Sequence, residues 1–178
     1  MQKKLREKRV LHASLFDVEE QEIEIQSGVV RTYHVVKRHP TVSVFPLTED
    51  FEIYLVSQFR FTLQEVTLEA MAGFVDEGEE PLQAAKRELQ EETGLQASEW
   101  QPLPVVELSG SVIQAKVYGF IARTLKTGKQ NLDESEKITV VKLPLEEAVK
   151  KVLSGEINHA SSVIGILTLD RMRRDRKL

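Results

Sequence analysis

Residues 73–95 read GFVDEGEEPLQAAKRELQEETGL, and this stretch is more informative about function than the rest of the chain. Pro81 suits the first position of a helix, because its missing N–H would have no partner there in any case. Gly94 suits the position just past the last turn, where a left-handed backbone closes a helix. The apolar residues between them recur at i, i+3 and i+7 and so predict one buried stripe, Leu82, Ala85 and Leu89.

Carboxylates flank this stripe. Glu88 and Glu92 are four residues apart and therefore stack on one side of the helix, while Arg87 and Glu91 have the same spacing and can pair on the other flank. A glutamate-rich helix face is most often only solvated. Here, however, the stacked carboxylates and Glu91 form a repulsive cluster unless a cation lies on it. The pattern predicts a metal site.

The glycines, the arginine and the glutamates of this stretch follow one motif, G-x5-E-x7-R-E-U-x-E-E-x-G-U, in which U is aliphatic. All its fixed positions are present. The stretch therefore resembles the Nudix box, and the chain resembles the Nudix hydrolases, which hydrolyse a nucleoside diphosphate linked to another moiety. The resemblance implies an α/β/α sandwich around a mixed sheet.

Two further segments resemble one group within that family. VSQFRF at 56–61 and LEAMAGFVDEGE at 68–79 are similar to motifs of ADP-ribose pyrophosphatases and related nucleoside diphosphate sugar hydrolases, and residues 131–169 are similar to that group's tail. Met71 departs from the usual proline. After the box, residues 107–111 read ELSGS and lack the proline of ADP-ribose-specific members, and the acidic pair that usually follows is replaced by Gln114-Ala115-Lys116.

The resemblance assigns roles by position. It implies that the metal ligands are Glu88, Glu91, Glu92 and the backbone carbonyl of Ala72, that Arg87 orients the glutamates, and that the substrate contacts are Arg60, Glu69 and Gly73. Oxygen ligands suit Mg²⁺, with Mn²⁺ as a substitute, and Mg²⁺ binds through a few carboxylates together with substrate phosphates and water. Metal ions that neutralise the pyrophosphate also help to deprotonate a bound water. Glu92 is thus expected to be catalytic as well as a ligand.

A general base is also needed, because glutamates bound to metal are poor proton acceptors. The acidic loop at 131–136 offers Glu134 and Glu136, between which the sequence does not choose. An ordinary acidic surface loop is an equally good interpretation.

We expect ADP-ribose to be hydrolysed to AMP and ribose 5-phosphate, with other nucleoside diphosphate sugars also accepted. Arg60 can bind phosphate oxygens with two N–H groups. Phe16, Tyr33 or Phe45 could stack on a base, although strand aromatics usually pack inward. Two alternatives remain: a nucleoside triphosphate pyrophosphohydrolase that removes damaged nucleotides, and a Nudix-like module that binds ADP-ribose without cleaving it.

The composition fits a small cytoplasmic enzyme. The chain has 178 residues, 41% of them hydrophobic and 29% charged, with a net charge of −4 and no cysteine. These values favour one domain with a core, exclude a thiolate nucleophile, and give no reason to expect a nucleic-acid or membrane partner. The four histidines (12, 34, 39 and 159) are scattered and are predicted to be structural or exposed.

Strands are predicted before and after the box helix, and helices at the end, which is an α+β arrangement. The predicted strands are residues 22–25, 29–36, 41–47, 53–59, 105–108, 116–122 and 138–143, and the predicted helices are 145–153 and 160–173. The basic ends, Lys3 to Arg9 and Arg171 to Lys177, are expected to be frayed or solvated. Residues 1–40 are predicted to be an antiparallel strand extension and 41–178 the Nudix domain. In the resembling group this extension exchanges between subunits, so we expect a homodimer.

Overall fold

The computed structural model describes residues 2–26, 28–132 and 137–178. The chain separates into two compact units. The first consists of the residues up to Pro40 together with Glu107–Val117, and the second of Thr41–Val106 and Tyr118–Leu178. Among the described residues, no helix is both long enough and apolar enough to cross a membrane.

The first unit contains a four-stranded sheet in the order β1-β2-β3-β10. Its strands are β1 (Lys3–His12), β2 (Phe16–Gln26), β3 (Val29–Arg38) and β10 (Ile113–Gln114). β1, β2 and β3 pair antiparallel, whereas β10 joins β3 in parallel. The predicted strand extension is therefore present as a sheet.

The prediction of a frayed N-terminus is wrong, because Lys3–His12 forms a complete strand. The reason is the charge on the neighbouring strand. Lys3 lies opposite Glu24, Lys8 opposite Glu20 and Arg9 opposite Glu19 in the antiparallel pair, with a shift of register between Lys4 and Arg6. Opposite charges that face each other across two strands stabilise the pairing. Every side chain of β1 is nevertheless exposed, so solvation was correctly expected. At the other end of the chain, the final helix runs to Arg174, so most of the basic C-terminus is helical too.

The second unit holds two sheets and three helices. One sheet has the order β7-β4-β11-β8, with β9 paired to β11, and the other has the order β12-β5-β6. The strands are β4 (Thr41–Pro46), β5 (Glu52–Arg60), β6 (Glu65–Glu69), β7 (Met71–Phe74), β8 (Leu95–Pro102), β9 (Val106–Glu107), β11 (Lys116–Thr127) and β12 (Ile138–Pro144). The helices are α1 (Pro81–Thr93), α2 (Leu145–Leu153) and α3 (Ala160–Arg174).

Helices pack on both faces of the sheet that contains β4, because successive β4 side chains belong to two different core clusters. Val42 and Val44 are fully buried in a cluster that also contains Ala85 and Leu89 of α1. Phe45 belongs to a second cluster, which contains residues of α2 and α3. Successive side chains of a strand point to opposite faces, so β4 lies between two helical layers. The predicted α+β class and the α/β/α sandwich with mixed sheets are confirmed.

The β4–α3 contact suggests a test of the core. An ideal Cβ at Gly165 of α3 would lie within 2.5 Å of three atoms of the Phe45 ring, and both residues are buried. Gly165→Ala is therefore expected to lower the free energy of unfolding by about 1–3 kcal/mol, because the extra methyl forces the ring or the helix to move. Urea unfolding measures this loss. Adding Phe45→Leu should recover part of it, and a Gly165→Ala variant as stable as the parent would contradict the packing.

Candidate active site

Helix α1 has the ends that its sequence predicted. Pro81 is its first residue, and Gly94 follows it with φ of 72° while donating its N–H to the Gln90 carbonyl. Ala85 and Leu89 are fully buried, and Leu82 is partly buried beside them. The stripe continues one turn further than predicted, since Glu92 is only 5% exposed.

Arg87 joins the glutamates of the box. Its Nε and Nη2 donate to the two carboxylate oxygens of Glu79 at 3.1 and 2.9 Å. Its Nη1 donates to Glu88 at 2.6 Å and to Glu91 at 3.3 Å. Nη2 also donates to the Phe74 carbonyl at 3.0 Å, which ties the helix to the end of β7. Arg87 thus contacts three carboxylates at once, and its predicted role in orienting them remains a prediction.

These ion pairs shift the pKa values of both partners. Hydrogen bonds from Arg87 lower the pKa of the Glu79 carboxyl, with a smaller contribution from the Asp76 N–H. The hydrogen bonds to Glu79, and after them those to Glu88, raise the pKa of the Arg87 guanidinium. Glu79 therefore stays ionised and ties the loop before α1 to the helix, through Arg87 and through the Asp76 N–H at 3.1 Å.

Gly73 allows β7 to approach the Glu88 carboxylate. It lies opposite Val42 in the β4–β7 pair, directly after Ala72. An ideal Cβ at this position would lie within 2.5 Å of the carboxylate carbon and both oxygens of Glu88. Only glycine leaves that space. The carboxylate thus lies against the backbone beside the predicted Ala72 ligand.

To bind a metal ion, the oxygen atoms of the predicted ligands would have to converge on one point. Among the residues that the structure describes, no three histidine, aspartate or glutamate side chains form a group that could hold one. Arg87 binds Glu88 and Glu91 instead. The donor chemistry nevertheless fits a hard divalent cation, because three glutamates share Arg87 here, Glu92 lies on the same helix as two of them, and all four offer oxygen ligands. The ligand set Ala72, Glu88, Glu91 and Glu92 remains a prediction.

Arg60 and Glu69, the two other predicted substrate contacts, form a second cluster. Nε and Nη2 of Arg60 donate to the two oxygens of Glu69 at 2.8 and 2.9 Å. The Glu69 side chain is fully buried, whereas the Arg60 side chain is 36% exposed. Glu69 therefore orients Arg60, and Arg60 is the member of the pair that a substrate can reach.

Glu69 is charged in spite of its burial. Desolvation works to raise the pKa of this carboxyl, but the hydrogen bonds from Arg60 and Thr67 and the charge of Arg60 outweigh it, so the pKa is below its ordinary value. Thr67 Oγ1 donates to Oε1 at 2.7 Å. Nothing in the sequence motif indicated the contribution of Thr67, because it depends on the pairing of β5 with β6.

Glu69 of the second cluster and Gly73, which borders the first cluster, lie on strands that follow each other in the chain. Glu69 ends β6, and Gly73 lies on β7, four residues further along the chain. Four extended residues span at most about 14 Å. Glu69, which binds Arg60, and Gly73, which lies against Glu88, are therefore no more than about 14 Å apart.

The predicted base candidates, Glu134 and Glu136, lie outside the described residues. The structure describes the residues on both sides of this segment, up to residue 132 and from residue 137 onward. Asn131 donates its N–H to the Glu91 carbonyl at 3.1 Å, and Gly128 donates to the Gly94 carbonyl at 2.6 Å. Ile138 lies opposite Gln58, two residues before Arg60. The described residues that flank the acidic segment therefore lie at the end of α1 and beside the strand of Arg60.

Of the aromatics considered for base stacking, Phe45 is excluded, since it is 1% exposed and packs in the core. Tyr33 and Phe16 lie in the first unit and are 40% and 37% exposed. That unit also has a cavity of about 500 Å³, partly lined by the post-box loop that departs from the family pattern. Its lining residues are Lys4, Gln21, Val35, Lys37, Glu107 and residues 109–114.

Comparison with known proteins decides the family. The model of the NUDIX domain matches residues 37–163. The chain belongs to the Nudix family. This Nudix hydrolase is 30% identical over 167 residues to the ADP-ribose pyrophosphatase of Bacillus subtilis, covering 93% of this chain and 90% of that protein. It is 30% identical to the ADP-ribose pyrophosphatase of Mycobacterium tuberculosis, covering 88% and 77% of the two chains.

A solved structure supports the same family. The crystal structure of an ADP compounds hydrolase superposes with a TM-score of 0.85 at 25% identity, covering 99% of this chain and 97% of that chain. Nudix hydrolases generally use divalent metal ions, so the oxygen-rich cluster on α1 has the chemistry that the family requires.

Proposed function

We propose that this Nudix hydrolase cleaves the pyrophosphate bond of ADP-ribose, giving AMP and ribose 5-phosphate, and that it accepts other nucleoside diphosphate sugars. The observation that carries this proposal is the combination of the Arg87–glutamate cluster of α1 with the Arg60–Glu69 pair of β5 and β6. Relatives named ADP-ribose pyrophosphatase that match most of the chain support the substrate.

Each part of the site has a task in this reaction. Arg60, oriented by Glu69, is placed to bind phosphate oxygens through its planar guanidinium. Arg87 holds Glu79, Glu88 and Glu91 in position, and Gly73 gives Glu88 the room that it occupies. We propose that Glu88, Glu91, Glu92 and the Ala72 carbonyl hold Mg²⁺, or Mn²⁺ in its place. When bound, the ion supplies neutralisation of the pyrophosphate charge and activation of water.

A substrate screen tests the proposal. ADP-ribose, ADP-glucose, GDP-mannose and a nucleoside triphosphate are compared under Mg²⁺ by kcat/KM, with chelated enzyme as the blank. We expect ADP-ribose to be among the best substrates. A marked preference for the triphosphate would refute the proposal, and binding of ADP-ribose without turnover would identify a sensing module. A preference for one nucleoside diphosphate sugar whose base is not adenine would show that only the proposed base and sugar specificity is wrong.

We further propose that Glu134 or Glu136 is the general base. Two contacts support this: Asn131 donates its N–H to the Glu91 carbonyl, and Ile138 pairs with Gln58. The described residues on either side of the acidic segment therefore lie next to α1 and next to the strand of Arg60. Glu134→Gln or Glu136→Gln is expected to lower kcat by about 10²–10⁴-fold, as loss of a proton acceptor does. Near-parental kcat in both variants would place the base within the box.

The protein is also proposed to be a homodimer in which the first unit helps to build the partner's site. In that unit, Leu5, Val10, Leu11, Val29 and Val30 are each 46–49% exposed, and we propose that a second copy covers some of these apolar side chains. Light scattering should give twice the mass of the chain. Val30→Lys should favour the monomer and reduce activity, whereas Leu153→Lys, at a residue 76% exposed on α2, should change neither. A fully active monomer would end this proposal.

The cytoplasmic location of the protein remains a prediction.

A further inference from the structure

A buried polar network lies at the N-terminus of α3, outside the Nudix box. His159 immediately precedes the helix, and its side chain is 42% exposed. Ser161 and Ser162 in the first turn are buried. Nδ1 of His159 lies 3.2 Å from Ser161 Oγ and 3.4 Å from Ser162 Oγ. The histidine ring is thus held in place by the first turn of the helix.

The serines attach this network to the strands of the site. Ser162 Oγ accepts the Ala70 N–H at 2.9 Å, and Ala70 is the residue between β6 and β7. Ser161 Oγ accepts a hydrogen bond from the Ser43 hydroxyl of β4 at 2.9 Å. The start of α3 is therefore fixed to the chain segment that carries Glu69 at one end and Gly73 at the other.

His159 reaches Glu69 itself. Its Nδ1 lies 3.7 Å from Glu69 Oε2, the oxygen that also accepts from Arg60 Nη2 at 2.9 Å. The other oxygen, Oε1, accepts from Arg60 Nε at 2.8 Å and from Thr67 Oγ1 at 2.7 Å. Oε1 thus accepts from Arg60 and from Thr67, while Oε2 accepts from Arg60 and lies at ion-pair distance, beyond hydrogen-bond range, from the His159 ring.

We propose that His159 is a positioning residue: it holds the Glu69 carboxylate in the plane in which Glu69 presents the Arg60 guanidinium to the diphosphate of the substrate. The inference rests on the proposed function for its substrate and goes beyond it in assigning a residue outside the motif. A bidentate arginine–carboxylate pair depends on both groups being coplanar. Without His159, Oε2 loses its ion-pair neighbour, and we expect the orientation of Arg60 to become less fixed.

Kinetics of three variants test the role. His159→Leu removes the polar ring, His159→Asn keeps a polar atom near the position of Nδ1, and His39→Leu removes an exposed histidine as a control. For His159→Leu we expect KM for ADP-ribose to rise about tenfold with kcat within about twofold, because the lost interaction acts in binding. His159→Asn should restore most of the parental KM, and His39→Leu should retain it. Because the His159 side chain is half-exposed, its loss leaves the core filled, and thermal unfolding checks this.

A second measurement needs no substrate. The Arg60 Nε–H, hydrogen-bonded to Glu69, is followed in ¹⁵N-resolved spectra of the full chain. We expect its resonance to shift or broaden in His159→Leu and to stay in place in His39→Leu. An unchanged Arg60 resonance, or a parental KM in His159→Leu, would overturn the inference while leaving the hydrolase intact. A parent enzyme that does not hydrolyse ADP-ribose would instead refute the proposed function, and the Arg60 resonance would still decide whether His159 positions the pair.

Discussion

Glu92→Gln is expected to lower kcat by about a thousandfold, which corresponds to roughly 4 kcal/mol of lost transition-state stabilisation. Glu92 is 5% exposed on the face of α1 that also carries the buried Leu89. Glutamine has nearly the same shape, so packing is kept and only the negative charge is removed. The loss should therefore fall on metal-assisted neutralisation of the pyrophosphate and leave the fold intact.

The measurement is steady-state hydrolysis of ADP-ribose at saturating Mg²⁺, together with thermal unfolding. Glu80→Gln is the matched control, because Glu80 is exposed, precedes the same helix and makes no capping hydrogen bond through its side chain. It should retain the parental kcat. Turnover by Glu92→Gln within a few-fold of the parent would show that the metal assignment is wrong.

Gly73→Ala is expected to reduce kcat by about a hundredfold, the scale of a displacement of about 1 Å in a catalytic group. The new methyl would occupy the space of the Glu88 carboxylate, which lies within 2.5 Å of the ideal Cβ position. That side chain is flexible and would swing away, so the cost to stability is small. The cost to activity is large, because Arg87 and the predicted metal both depend on where Glu88 lies.

A double-mutant cycle separates this cause from a general disturbance of β7. If Gly73→Ala acts by displacing Glu88, then Glu88→Ala in the Gly73→Ala background should lower kcat little further, because the two changes remove the same interaction. Fully additive losses would show that the glycine acts in another way, and parental kcat in Gly73→Ala would contradict the close approach itself.

Much of the box could be predicted because its signals are local. Pro81 and Gly94 specify the ends of a helix through the backbone chemistry of their own residues, and the i, i+4 spacing of Glu88 and Glu92 follows from helical geometry alone. The strands 41–47, 53–59 and 138–143 and both C-terminal helices were found for the same reason, since their periodicity and turn residues are continuous in sequence. Five strands were missed: β1, whose residues we expected to be frayed or solvated, β6 and β7, whose residues we interpreted as a motif, β8, which lacks β-branched residues, and the two-residue β10.

Sequence alone thus determined the family, the box helix, the order of most elements and the identity of the charged groups. Tertiary structure decided which of those groups meet. Arg87 reaches Glu79 and the Phe74 carbonyl only because the loop before α1 folds back, and Glu69 binds Arg60 only because β5 and β6 pair in one register. His159 is ninety residues from Glu69 in sequence, and no motif connects them. The physical reason is that periodicity reports the burial of single elements, whereas an ion pair or a close backbone approach depends on the distance between elements, which only packing sets.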